Sequence, residues 1–203
     1  MSSRSLSRLR PTAIEKLGKY TNPADNFAFR TYDTQGVLDA PLSPGDVLSA
    51  NLLSLRLGWK EVVPLFAEGS GPEQQLRAAL DKALRDLLDA KPLESYESVD
   101  ALEEAVVSLA EANDATKGVR NWTPVTVSKV LHRRRPLIVP INDSRVRKFY
   151  GVKKTESAKL RAALWNDIRE NQDWLQPLSE STKTPDGRQL TLLRLADILI
   201  WSD

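Results

Sequence analysis

Residues 123–151 read TPVTVSKVLHRRRPLIVPINDSRVRKFYG, and the parsing of this stretch decides the fold. Thr123 and Pro124 form a helix start, a hydroxyl able to cap followed by a ring whose fixed φ suits the first turn. Val127, Val130 and Leu131 follow at helical spacing and point inward. Pro136 ends the helix by pushing the residue before it out of the helical region. LIVP is then extended. Asn142 or Asp143 caps a second helix, SRVRKFY, which Gly151 terminates. From Lys129 to Lys154 there are nine Lys and Arg and one acid, Asp143, a local charge of +8 in a chain whose net charge is only +2. Positive charge clustered in this way is the footprint of a polyanionic partner, most often nucleic acid, or else a basic face with no ligand.

Outward from this stretch the pattern stays helical. Ser43–Pro44 opens a helix that carries DVLSANLLSLRL and stops at Gly58. Leu76, Leu80, Ala83, Leu84, Leu87 and Leu88 give the clearest 3.6-residue period, between Pro72 and Pro92. Ser98 caps a helix with Val99, Leu102, Val106 and Leu109 on one side. Residues 155–175 are helical, with Leu160, Leu164 and Ile168 on one face. STKTPDG is a turn, and LTLLRLADILIW is a buried final helix whose Arg194 and Asp197 can pair three residues apart. Residues 23–41 read as irregular structure or a short strand, and residues 1–22 as a flexible arm or a short helix. The expected fold is all-α, a single domain over 1–203, with seven to nine helices.

Composition removes whole classes of chemistry. The chain has 203 residues, no cysteine and one histidine, His132. Disulfides, cysteine-ligated zinc, iron–sulfur clusters and two-histidine metal sites are therefore impossible. No apolar run approaches the ~20 residues of a membrane helix, and MSSRSLSRLR lacks a signal-peptide core. These features predict a cytoplasmic protein with no membrane partner.

Residues 98–151 run helix, short glycine-containing loop, helix, extended apolar segment with two prolines, then an Asp-capped helix. This order resembles the helix–hairpin–helix DNA glycosylase superfamily. In that superfamily a hairpin of the type L-P-G-[VI]-G leads into a helix, and a V-D-T-H-V-x-R-V segment supplies the catalytic Asp. The matching segment here is Ile141-Asn142-Asp143-Ser144-Arg145-Val146-Arg147-Lys148, with Gly151 closing the same helix. TVSKVL aligns with the superfamily's T-A-x-x-V-L helix. The hairpin glycines do not align: that place holds Val119-Arg120-Asn121-Trp122-Thr123 after Gly118. Arg145 replaces the histidine, and Val125 stands where lyase-active members carry a nucleophilic lysine. DVLSANLLSL, LRLADILIW and SKVLHRRRPLIVP also look like an uncharacterised bacterial protein family, a likeness that adds no activity.

The resemblance implies a helical fold with a cleft, and a monofunctional glycosylase that flips a damaged or modified base and hydrolyses its bond to deoxyribose. A hypermodified phage base, and hence antiviral defence, falls within that range. It implies DNA as partner, a monomer, and no metal or organic cofactor. Asp143 is the expected catalytic carboxylate, since cleaving an N-glycosidic bond builds positive charge on the sugar. Its competing role is the helix cap. Lys129, one turn beyond Val125, either reaches the sugar or contacts phosphate or solvent. Gly118, Arg120, Asn121, Trp122 and Thr123 in the hairpin are expected to grip DNA, with Trp122 as a wedge or a core residue. His132, Arg133, Arg134, Arg145 and Lys148 are expected at phosphates. Asn142, Tyr32 and Trp59, together with Phe27 and Phe29, are candidates for a base pocket. The alternative is a non-enzymatic helical DNA-binding protein, which has the same basic cluster and no need of Asp143.

Overall fold

Pro124–His132 forms the helix that the rest of the chain wraps around. Thr123 caps it by accepting from Thr126 N, and every residue from Thr126 to His132 is buried. A helix buried on all sides must satisfy its own polar side chains, and Ser128, Lys129 and His132 each find a partner inside the protein. The computed structural model describes residues 5–22, 24 and 27–203, and the side chain of Phe27 lies outside that description. Among the described residues it is all-helical. In chain order these helices are α1 (Ala13–Thr21), α2 (Phe27–Tyr32), α3 (Pro44–Ser49), α4 (Trp59–Phe66), α5 (Pro72–Asp86) and α6 (Val99–Ala105). Then come α7 (Val107–Asp114), α8 (Pro124–His132), α9 (Ser144–Tyr150), α10 (Ser157–Glu170), α11 (Gln172–Ser181) and α12 (Leu192–Trp201).

Twelve α-helices among the described residues exceed the seven to nine expected, and local chemistry explains the excess. The helix begun at Pro44 ends early because Asn51 hydrogen-bonds both the N–H and the carbonyl of Leu57, at 2.8 and 2.9 Å, closing a loop instead of a turn. Gly58 starts α4 rather than stopping a helix: its N–H is capped by Glu61 at 2.9 Å. Val106 and Asn171 leave helical geometry and divide two stretches that read as continuous. The expected strand or coil at 23–41 contains α2.

The N-terminal segment is docked from Ser5 onward. Leu6 and Leu9 of a short 3-10 helix, with Ala13 and Leu17 of α1, enter the core. Asp167 of α10 holds the entry, accepting from Leu6 N at 2.9 Å, Ser5 Oγ at 2.6 Å and the Tyr150 hydroxyl at 2.9 Å. Residues 1–4, part of the expected arm, lie outside the described residues.

The run His132–Arg135 was expected at phosphates, and it is structural instead. Arg133 donates to Asp46 at 2.6 Å. Arg134 donates to the carbonyls of Leu38 and Ala40, at 2.8 and 2.7 Å, and Arg135 to those of Leu38 and Leu84. Pro136 ends α8 just as the 38–42 loop and the last turn of α5 present buried carbonyls that need donors, and arginine's forked head supplies several at once. His132 is fully enclosed. Its ring lies parallel to Tyr32, centroids 6.3 Å apart, and its Nδ1 donates to the Val139 carbonyl at 2.6 Å.

Burial, reinforced by the charge of Arg194, lowers the pKa of His132 to about 3, against the Val139 hydrogen bond that favours the cation. The folded protein therefore holds His132 neutral while the unfolded chain takes up a proton below pH ~6.5. The stability this gives is complete above that pH and is lost as pH falls towards the folded value. His132→Gln retains a donor for Val139 and removes the titration. Relative to wild type, its unfolding free energy should improve by about 3 kcal/mol between pH 7 and pH 4, measured by urea denaturation. A constant difference across that range would refute the assignment.

Candidate active site at the Lys129–Asp143 pair

The extended segment after Pro136 runs back along α8. Ile138, Val139 and Ile141 are buried, and Asn142 N donates to Ser128 Oγ at 3.0 Å, fixing the register between segment and helix. Asp143 is thereby placed opposite Lys129. The cap of α9 is Asp143, not Asn142: Oδ1 accepts from Arg145 N at 2.9 Å, leaving Oδ2 to face Lys129 Nζ at 2.8 Å. Gly151 ends α9 at φ +67, a left-handed conformation that glycine adopts without strain, and Val152 N closes back to the Arg147 carbonyl at 2.9 Å. Asn142 turns away from the pair, donating to Ser157 and accepting from Arg147.

The pair opens onto a cavity of about 140 Å³, whose lining includes Tyr20, Leu52, Leu53, Ser54, Ile141, Arg194, Asp197 and Trp201 as well as Lys129 and Asp143. Lys129 is almost fully buried and also donates to the Leu53 carbonyl at 2.7 Å. Behind the cavity Arg194 joins two further acids. It meets Asp33 through two nitrogens at 2.7 and 2.9 Å, Asp197 at 2.5 Å and the Tyr20 hydroxyl at 2.8 Å. The ion-paired cluster therefore sets three carboxylates against two cations.

Burial and the neighbouring charges shift two of these acids in opposite directions. Burial raises the pKa of Asp143, but the Lys129 hydrogen bond, the Arg145 N–H and the Lys129 charge outweigh it, so Asp143 lies below the usual carboxylate value and is ionised at neutral pH. Asp197 is pushed up to about 6 by burial, with Asp143 and Asp33 adding to the shift against Arg194 and Lys129. The surplus negative charge thus rests on a group that exchanges its proton near neutrality.

Tyr20 and Trp201 also line a second, more open cavity of about 560 Å³ with Glu15, Lys16, Lys19, Arg145 and Ser202. The two cavities share Tyr20 and Trp201, and the second has a partly cationic rim. Arg145 lies over the Trp201 ring at 4.7 Å and donates to the Trp201 carbonyl. Lys16 is held by Asp203 at 3.0 Å.

The other expected residues are dispersed. Tyr32 is wholly buried and donates to the Lys129 carbonyl at 2.5 Å; it supports α8 from behind and does not line the cavity at the Lys129–Asp143 pair. Trp59 lies exposed on α4 under Lys60, also outside that lining. Asn142, expected in the pocket, faces α10. Phe29 is in the core, and the side chain of Phe27 lies outside the described residues. Trp122, read as a DNA wedge, is buried and donates to the Glu61 carbonyl at 3.1 Å. Asn121 donates to Glu61 Oε1 at 2.8 Å, and Arg120 pairs with the same oxygen at 3.3 Å, so α4 anchors the hairpin. The hairpin turns through Gly118 at φ +83 and Asn121 at φ +59; asparagine is among the few residues other than glycine that tolerate that region, which lets the turn form without the expected glycines. Thr123 caps α8. Gly118, Arg120, Arg145 and Lys148 remain exposed. Sequence reasoning did not place Tyr20, Arg194, Asp197, Trp201, Lys16 or Lys19 at the site. The signal available was a pair of charges inside a helix otherwise apolar enough to be buried, where charges occur only with partners.

Residues 13–203 match the family model DUF6308, a family of unknown function. The chain belongs to the DUF6308 family. No curated protein and no solved structure matches it. The DUF6308 match spans both cavities, from Glu15 and Lys16 to Ser202. Among the described residues of this DUF6308 protein, no helix is long and apolar enough to cross a membrane, and no group of three or more His, Asp and Glu could hold a metal ion.

Proposed function

We propose that this protein is a monofunctional DNA glycosylase acting on a flipped damaged or modified base, with Asp143 as the catalytic carboxylate. The observation that carries the reading is the ionised Asp143, fixed by Lys129 Nζ at 2.8 Å, on the wall of a cavity with excess negative charge. In N-glycosidic hydrolysis the C1′–N bond breaks, the electron pair leaves with the base, and the sugar becomes oxocarbenium-like. A preorganised negative site next to C1′ stabilises that state. Water then bonds to C1′; its proton passes to Asp143 or to solvent, and the departing base takes up a proton. A carboxylate has about four lone-pair sites, so the hydrogen bonds from Lys129, Arg145 N and, at 3.5 Å, Ser144 Oγ leave Asp143 capacity for the water. Lys129 directs its ammonium to Asp143 and the Leu53 carbonyl, which suits a positioning role rather than Schiff-base chemistry.

A base in a duplex must be flipped to reach the cavity, and flipping needs a grip on the backbone. Arg145, Lys16 and Lys19 on the rim, with Lys148 on α9 and Arg120 on the hairpin, are the cations available for it. Removal of the HRRR run from this set predicts a modest salt dependence. A non-enzymatic DNA-binding role is favoured by one observation, that both Asp143 oxygens already have structural partners.

The test is incubation with duplexes carrying alkylated, oxidised or phage-type modified bases, followed by hot alkali. Strand breaks at the modified position are expected with at least one substrate. DNA binding should weaken about tenfold or more between 50 and 200 mM salt, as for a protein with a few phosphate contacts. Salt-sensitive binding without breaks on any substrate would favour the non-enzymatic role, and salt-independent binding would remove both.

A further inference from the structure

The buried cluster behind the cavity has more bonding capacity than the protein uses. Asp197 lines the cavity and is 7% exposed. One of its oxygens is taken by Arg194; the other, Oδ1, is buried with no hydrogen-bond partner among the described residues. A buried carboxylate oxygen without a donor is costly, and native proteins rarely keep one without a use. The charges facing it are Arg194 on its own helix, Asp33 after α2, Tyr20 of α1, Lys129 of α8 and Asp143 at the start of α9. Three carboxylates meet two cations there, so a donor is favoured in this space and a further acceptor is not.

The size of the space narrows the donor. The cavity holds about 140 Å³. An apolar cavity of about 150 Å³ is filled by benzene. One six-membered ring therefore fills the space between Leu52, Ile141 and the Tyr20–Trp201 wall, and the second ring of a fused base would project beyond it into the open mouth.

We propose that Asp197 is a specificity-determining residue: after a small rotation of its carboxylate, Oδ1 accepts a hydrogen bond from the amino group of a single-ring base, so that the ligand is a cytosine-type pyrimidine. A carboxylate accepting from cytosine N4 is an established pairing of edge groups. Uracil and thymine offer one N3–H set between two carbonyl oxygens, so presenting that donor also brings carbonyl oxygens up to a cluster already rich in negative charge. This inference rests on the glycosylase reading for why the ring arrives on DNA, and its test does not depend on catalysis.

Free cytosine, uracil, adenine and hypoxanthine are titrated at millimolar concentration into the intact protein and followed by saturation-transfer NMR. Cytosine should bind, with the other three at least tenfold weaker. Asp197→Asn should weaken cytosine at least tenfold, and cytosine binding by wild type should fall from pH 7 to pH 5 while that of the variant stays flat. If Asp197→Asn does not fold, Leu52→Trp at the exposed mouth fills the cavity without touching the charges and should also abolish binding. Adenine binding as well as cytosine, no base binding at all, or an unchanged affinity in a folded Asp197→Asn each overturns the proposal. Cytosine binding through Asp197 without cleavage of any DNA upholds it and removes the glycosylase reading. Cleavage that releases a purine upholds that reading and removes this one.

Discussion

Arg194→Met should destabilise the protein by roughly 3–5 kcal/mol, the usual cost of removing one partner from a buried ion pair. Arg194 is among the largest fully buried side chains, and it satisfies Asp33, Asp197 and the Tyr20 hydroxyl together. Its guanidinium also lies over the Tyr20 and Tyr32 rings, at 5.5 and 5.1 Å. Methionine fills much of the volume but leaves two carboxylates in the core without a cation. Asp197, already pushed up to about 6, would then protonate more readily, so the deficit should shrink as pH falls from 7 to 5. Arg194→Lys should recover only part of the loss, because one ammonium cannot reproduce the forked contacts to two acids. Chemical denaturation of the three proteins at both pH values measures this. A loss under about 1 kcal/mol for Arg194→Met would mean that the cluster does not hold the fold as described.

The elements legible in the sequence were those whose own residues determine them. The α5 pattern of Leu76, Leu80, Ala83 and Leu84, and the Thr123–Pro124 start of α8, are set within one or two turns of chain. The breaks at Ser54 and Asn171 depend on the side chains of Asn51 and Asn171 bonding backbone groups, the break at Val106 has no such partner, and none of the three carries a hydrophobic signature. The same distinction holds at the site. Asp143 capping α9 is a local event, whereas its pairing with Lys129 needs the extended segment to fold back along α8.

Charge clustering in the sequence was misleading at HRRR because the acceptors lie far away in the chain. Leu38, Ala40 and Asp46 face Arg134 from more than 80 positions upstream, and Leu84 faces Arg135. Of the nine cations between Lys129 and Lys154, Lys129, Arg133, Arg134, Arg135, Arg145 and Arg147 have internal partners. Arg194 shows the opposite failure. Its neighbour Asp197 was visible at three residues' distance, but Asp33 and Tyr20 arrive from 161 and 174 positions away, and only together do they make a cluster with one negative charge in excess.

Asp143→Asn is the substitution that separates chemistry from structure. Asparagine caps helices as well as aspartate does, so α9 should keep its start. Lys129 keeps the Leu53 carbonyl. What disappears is the negative charge beside the sugar and the group able to take the proton from water, whose loss is worth on the order of 100- to 10,000-fold in rate. The most direct measurement is single-turnover base release, by wild type and by Asp143→Asn, from a duplex that wild type cuts, with DNA affinity recorded in parallel. The expected result is a rate about 1,000-fold lower in the variant, with affinity within threefold of wild type. A variant that releases the base at the wild-type rate would show that Asp143 is a helix cap and no more.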